Sequence, residues 1–449
     1  MEKSKVLQSG YIEKIDNKTY IFTYDGELLW LVPKEKSTIK PYDYFQHKDM
    51  DISVMEATSV KGNYIFFLNA KLKRNGVGYI AKPAGYICFE QDIIEYDSIV
   101  FKGKAINYFY RPNNIIDTDS TKYDNEDGSK NIKLKPFKET IIENNVIIDK
   151  KEAEMILGIL PPEEGIWMRE EYTLGKPESI LQLKFNKLLE SKDFEKIYVY
   201  IYRLFEFLNF RKNVSLGDIY LLKDGYKIAE VYLSNKKDYE SVHVDNTMGY
   251  FLINDKIGQL LEIINEEKIN LTFIPNTRRE SAVVDTQKYI MCCTSFESVF
   301  NYVFPDAKME EQKKANEVKE EFLKYIEERR EAYKKKDGKK RKEFKKYSDI
   351  IKLLDFGLEE KINYCINKYK DYIDEYVISK YINISKEENK TMVSDFVKKR
   401  NLLTHSSSVK LEDRDIKVYI IVRVLIYIMI LDKAEVDKNL IKQAVVNIL

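Results

Sequence analysis

Histidine is scarce in this chain: His47, His243 and His405 are the three in 449 residues. Proton transfer by imidazole near neutral pH must therefore use one of three positions. Cysteine is nearly as rare. Cys88, Cys292, Cys293 and Cys365 form no C-x-x-C pair and no Cys–His spacing of the zinc-binding kind, which argues against a structural metal site. Adjacent Cys292 and Cys293 fit a buried helix face better than a disulfide, and all four suit a reducing compartment. A surplus of charge is missing too, since 74 Lys and Arg stand against 73 Asp and Glu. That balance excludes a globally basic nucleic-acid binder, so any affinity for RNA has to come from local patches. The longest apolar run, 418–431, falls short of a bilayer span and holds Arg423. No apolar stretch follows Met1-Glu2-Lys3-Ser4-Lys5. Neither a membrane span nor a secretory signal is expected, and the expected location is the cytoplasm.

What is present points to an α+β multidomain chain in three regions. Residues 1–135 read as a β-rich N-terminal domain, a sandwich or barrel. Asp25-Gly26 separates two alternating apolar runs at 20–24 and 28–32, and Asn75-Gly76 separates 64–70 from 79–81, both hairpin patterns. Further strands are expected at 85–89 and 98–110, and a polar surface loop at 117–130. Residues 136–280 read as a mixed α+β domain, able to form one unit with the first. There, 180–210 shows helical spacing broken near 191–193, Asp224-Gly225 joins two strand-like runs, 256–267 is a short helix, and 271–274 is a strand. Residues 276–280 read as the hinge into an all-helical region, 281–449. Helices are expected at 285–304, 308–346, 348–380, 388–405, 411–433 and 436–448, with a turn marked by Gly338.

The chemistry centres on Arg400-Asn401-Leu402-Leu403-Thr404-His405, which closes an amphipathic segment just before Ser406, Ser407 and Ser408. Serine hydroxyls compete for backbone hydrogen bonds and favour a helix end there. Residues four apart share a helix face, so Asn401 and His405 are neighbours; Arg400, five residues before His405, must reach round with its long side chain. A cation, an amide and an imidazole thus converge at one helix end. A surface Arg beside a His that meets the helix dipole is the plainer reading of the same residues.

Arg400-Asn401-x-x-x-His405 resembles the R-x(4–6)-H motif of the HEPN superfamily of metal-independent ribonucleases, including the polar residue after the Arg. Ser295-Phe296-Glu297-Ser298-Val299-Phe300 is similar to the first-helix pattern of many HEPN domains, in which an acidic residue faces the site. The layout, a long β-rich region before a C-terminal helical domain, looks like that of the anti-phage HEPN-associated defence proteins of the ApeA type. The resemblance is sharp over 390–410, looser over 285–449 and architectural before that. It implies a C-terminal HEPN helical bundle that dimerises, or assembles further, so that two motifs line one cleft. It implies cleavage of RNA, tRNA among the candidates, in an abortive-infection response, with the N-terminal region sensing an infection cue such as a phage-derived trigger or restraining the nuclease. Arg400, His405 and Asn401 would be the catalytic residues and Glu297 the partner of Arg400, although an ordinary solvated Glu fits position 297 as well. No cofactor and no metal are implied.

A basic run, including Lys339, Lys340, Arg341 and Lys342, could grip an RNA backbone or simply solvate a helical arm. His47 and His243 have no partner at ligand or triad spacing and read as structural. Trp30 and Trp167 read as core. The alternative to an enzyme is a non-catalytic HEPN module that binds nucleotide or RNA, or only dimerises, beside a ligand-binding β domain.

Overall fold

The computed structural model describes residues 8–15, 18–35, 49–90, 92–117, 134–161, 177–234, 247–281, 283–333, 337–352, 357–373, 391–405 and 410–448. The chain divides into two units, Met1–Glu262 and Ile263–Leu449.

Period-two alternation builds the first unit. In β2 (Lys18–Tyr24), Tyr20, Phe22 and Tyr24 point inward while Ile21 is exposed, and its neighbours β1 (Gln8–Ile15) and β3 (Leu29–Pro33) bury Ile12 and Leu31 on the same side. With β4 (Met50–Ser59), β5 (Tyr64–Asn75) and β6 (Gly78–Ala81), these strands close a six-stranded antiparallel barrel in the order β4-β1-β2-β3-β6-β5, with β5 returning to β4. Aromatic side chains fill it, with Phe67 packed edge-on against Phe22 and Tyr24, both at 5.4 Å between ring centres. Closure forces β1 against β4 so tightly that a Cβ on Gly10 would lie 2.0 Å from the Thr58 carbonyl oxygen.

The barrel does not end the sheet. The Tyr64–Leu68 half of β5 also pairs with β7 (Gly85–Phe89). From there strands continue through β13 (Tyr226–Leu233), β12 (Asp218–Lys223), β8 (Tyr96–Lys102), β11 (Glu178–Leu189), β10 (Lys151–Leu160) and β9 (Ile142–Ile148), thirteen in all. One sheet therefore runs across position 135, and the regions read as 1–135 and 136–280 share strands.

Three local expectations fail here. The strand expected at 98–110 stops at Lys102, because the missing side chain of Gly103 lets the Leu216–Gly217 backbone come within 2.5 Å of where its Cβ would be. The chain then turns into helix α1 (Lys104–Phe109). Residues 180–189 are strand, with Leu181, Leu183 and Phe185 buried alternately, and helix starts only with α2 (Ser191–Leu208). Residues 271–274 form turns, not a strand. Their apolar side chains are buried, Phe273 against Tyr427, while Ser295 and Ser298 hydrogen-bond to Asn270 and to the Lys268 carbonyl oxygen. The expected loop 117–130 lies, past Asp117, outside the described residues, as do His47, His243 and Trp167.

After α3 (Ile257–Asn265), which spans the division between the units, the second unit is helical. Its helices are α4 (Arg278–Ser281), α5 (Thr286–Val303), α6 (Ala307–Ala332), α7 (Gly338–Lys352), α8 (Leu358–Lys368), α9 (Met392–His405), α10 (Asp413–Lys433) and α11 (Lys438–Ile448). The stretch expected as helix over 308–346 holds the end of α6 at Ala332 and the start of α7 at Gly338, where a turn is expected, and Asp337 caps α7 by accepting from the Lys339 and Lys340 amides. Helix α10 is apolar on nearly every side and buries Val418 through Leu431 apart from half-buried Ile420 and Arg423, as the hub of a bundle must. Helices α5, α8, α9 and α11 pack around it. Tyr289 joins three of them: its hydroxyl donates to the Phe396 carbonyl, and its ring lies against Phe396 and Tyr419. Among the described residues no helix is long and apolar enough to cross a membrane.

Candidate functional site

Helix α9 is set in place before its chemistry begins. Its polar residues point toward the start of α10, where Glu412 and Asp415 close a capping box, the Glu412 amide donating to Asp415 at 2.8 Å. Asp415 has a second use. Its other neighbour is Lys399 of α9, at 3.0 Å, and the same ammonium donates to the Lys410 carbonyl oxygen at 3.0 Å. One turn earlier Arg414 meets Asp395 at 3.0 Å and donates to Thr391. These bonds tie the chain on both sides of residues 406–409 to one helix start.

Arg400 follows Lys399 and turns to a different neighbour. Its guanidinium donates through Nη2 to Glu297 Oε2 of α5 at 3.3 Å, and through Nη1 to Asn401 Oδ1 at 3.0 Å. Glu297 is shared: Lys361 of α8 stands 3.8 Å from its other oxygen, Oε1. Three helices thus bring two cations to one carboxylate. Arg400 and Glu297 keep about a third of their side-chain surface in solvent, while Lys361 is 12 % exposed. A guanidinium offers five N–H donors in a planar fork. Two go to Glu297 and Asn401, so among the described residues the rest are left to face an acceptor from solution. Carboxylates and phosphoryl groups are the acceptors that such a fork matches in geometry and charge.

Of the residues singled out in the sequence, Arg400, Asn401 and Glu297 therefore meet. His405 is the last residue of α9, and its side chain lies outside the described residues. Thr404, beside it, donates to the Arg400 carbonyl at 2.7 Å, an internal bond of the helix end. Lys339, Lys340, Arg341 and Lys342 lie elsewhere, at the start of α7, which packs on α6 through stacked Tyr333 and Phe344. Lys339, Lys340 and Lys342 are exposed, with Lys340 over the Tyr333 ring.

Beneath the cluster lies Cys293, fully buried one turn before Glu297. Burial pushes its thiol up to about 12, against the pull of Arg400 and with the help of Glu297. It stays protonated at neutral pH and is no nucleophile. Among the described residues no three His, Cys, Asp or Glu side chains gather as a metal would require.

Sequence reasoning missed Lys361, Lys399 and Asp415. Lys361 lies 64 positions from Glu297, and nothing local marks it. Glu412, Asp413 and Asp415 stand at a helix start, where acidic residues answer the dipole, and nothing in the sequence marks Asp415 as an anchor for α9. Compared with family models, with curated proteins and with solved structures, the chain finds no match.

Proposed function

We propose that this chain is a metal-independent endoribonuclease of the HEPN type, acting as an abortive-infection effector against phage. The observation that carries the reading is the guanidinium of Arg400, clamped by Glu297 and Asn401 at the helix end that His405 closes. Arg400 neutralises the phosphoryl oxygens as charge grows on phosphorus and stays charged throughout. Glu297 orients that guanidinium, a service worth having because small misplacements of a positioned group are costly in rate. Imidazole exchanges protons readily near neutral pH, and in this role His405 takes the proton of the ribose 2′-hydroxyl or returns one to the leaving 5′-oxygen. One imidazole does not do both at once. Two protomers of a homodimer, joined through the helical unit, each contribute one motif to a common groove. The N-terminal β unit senses the trigger or restrains the nuclease, and tRNA is the favoured substrate class.

The test is the chemistry of the ends. Attack by the 2′-hydroxyl leaves a 2′,3′-cyclic phosphate and a 5′-hydroxyl, so RNA cut by purified chain should accept phosphate from a 5′-kinase without prior phosphatase treatment. Fragments bearing 5′-phosphates would remove this mechanism. In cells, Arg400→Ala and His405→Ala should each abolish toxicity while leaving the protein folded and abundant.

A further inference from the structure

Arg400 and Glu297 share a single bond where a double one is the favoured arrangement. A guanidinium and a carboxylate commonly form two parallel N–H···O bonds, fork against fork. Here Nη2 alone reaches Glu297, at Oε2 and 3.3 Å, while Nη1 turns to Asn401 Oδ1 at 3.0 Å. That choice gives up a charged acceptor for a neutral one, and charged acceptors make the stronger bonds. The second carboxylate oxygen is already claimed. Lys361 stands against it, with Nζ 3.8 Å from Oε1.

The packing of α8 holds Lys361 in that position. Leu358, Ile362 and Cys365 are buried, and Cys365 Sγ lies 3.6 Å from Met429 Sδ of α10, which fixes where the lysine stem leaves its helix. The stem is 12 % exposed, and its ammonium group lies over the Phe300 ring of α5, 5.9 Å from the centre. Glu297 is its one carboxylate partner among the described residues. An ammonium group drawn this far from water is poorly screened and costly to leave unpaired, so it keeps its counter-ion close.

We infer that Lys361 is a positioning residue for Arg400, acting through Glu297. By claiming Oε1 it stops the carboxylate from rotating and confines Arg400 to one bond on Oε2. Nη1 is then left to Asn401, so two different residues fix the plane of the guanidinium, and its other N–H groups stay available to a phosphoryl oxygen. Two cations on one carboxylate also leave a net positive charge, which favours that anion. The catalytic value of this arrangement rests on the nuclease reading above; the hold of Lys361 on the Arg400–Glu297 contact does not.

Lys361→Met tests this, since it keeps a stem of similar length, removes the charge and leaves Glu297 paired with Arg400. In a crystal structure of the full chain carrying it, Arg400 should meet both oxygens of Glu297, and Nη1 should leave Asn401. A single contact that persists unchanged would overturn the inference. With an RNA substrate, kcat of Lys361→Met should fall about tenfold while KM stays within about twofold, and Lys361→Arg should recover to within about threefold of the unaltered chain. Beside Glu297→Gln, Lys361→Met should cost less than about twofold more, because the group it acts through is gone. Full activity in Lys361→Met would overturn the positioning role. So would a loss that Lys361→Arg does not recover, or one that persists in full beside Glu297→Gln, either of which marks a merely structural lysine. Should the unaltered chain leave RNA intact, the nuclease reading falls, and the crystal structure still decides whether Lys361 sets the Arg400 contact.

Discussion

The barrel and the surroundings of Arg400 treat their charges in opposite ways. On the barrel, Lys71–Asp51 and Lys82–Glu27 keep more than half of every side chain in water. Two pairs beside Arg400 are drawn inward: Lys399 and Asp415 are 16 % and 9 % exposed, and Lys361 reaches Glu297 at 12 % and 30 %. Exposed pairs contribute little, because water and salt screen them and two long side chains must be held still. Buried pairs are costly to desolvate, so they are a poor way to gain stability alone. Gathered beside Arg400 from α5, α8, α9 and α10, they serve to fix the direction of a side chain. The barrel is held by its aromatic core; α9 is held by buried Met392, Val393, Phe396 and Leu403 and oriented by its charges.

The sharpest break of that contrast is at the helix end. His405→Ala should cut RNA cleavage by about 10²- to 10⁴-fold, the usual worth of a general acid or base, with an unchanged circular dichroism spectrum. Arg400→Lys keeps the charge and loses the fork, and a fall of at least about tenfold in kcat/KM is expected. A wild-type rate in Arg400→Lys would mean that a point charge suffices.

Next comes the anchor. Asp415→Ala strips Lys399 of its partner and α10 of its cap, at a cost on the order of 3 kcal/mol. Thermal unfolding followed in the helical unit should drop by roughly 6–12 °C. The double variant Lys399→Met/Asp415→Asn should recover much of that loss, since it leaves no unpaired buried charge. Equal losses in single and double variants would show that the pair is not coupled. Glu297→Gln is gentler: kcat should fall by about tenfold while KM stays within about twofold, because orientation is lost and binding is not. At the other extreme, Lys82→Ala on the barrel should change stability by less than about 0.5 kcal/mol in a denaturant titration. A larger effect there would erase the distinction between the barrel and the surroundings of Arg400.

Much of this was legible before any coordinates. Asp25-Gly26, Asn75-Gly76 and Asp224-Gly225 each sit at a hairpin turn, with Gly26, Gly76, Asp224 and Gly225 at positive φ, because a tight antiparallel turn requires that backbone shape. The helices of the second unit follow from apolar spacing and from caps such as Asp285, which accepts from the Lys288 amide. Where the reading failed, the cause was non-local. Residues 180–189 hold apolar side chains that fit either period, and only pairing with β8 and β10 decides for strand. Residues 271–274 look like a strand but lack a sheet to join. At the site, helix spacing singles out Arg400 and Asn401, whereas Glu297, 103 positions from Arg400, enters only through a resemblance. Lys361 and Asp415 join the network through folding alone.

The most direct measurement is the rate at which purified full-length chain cleaves RNA in the presence of a chelator, set beside His405→Ala prepared identically. The account predicts cleavage undiminished by the chelator and reduced at least about a hundredfold by the substitution. Cleavage that vanishes with the chelator, or that survives intact in His405→Ala, would contradict it.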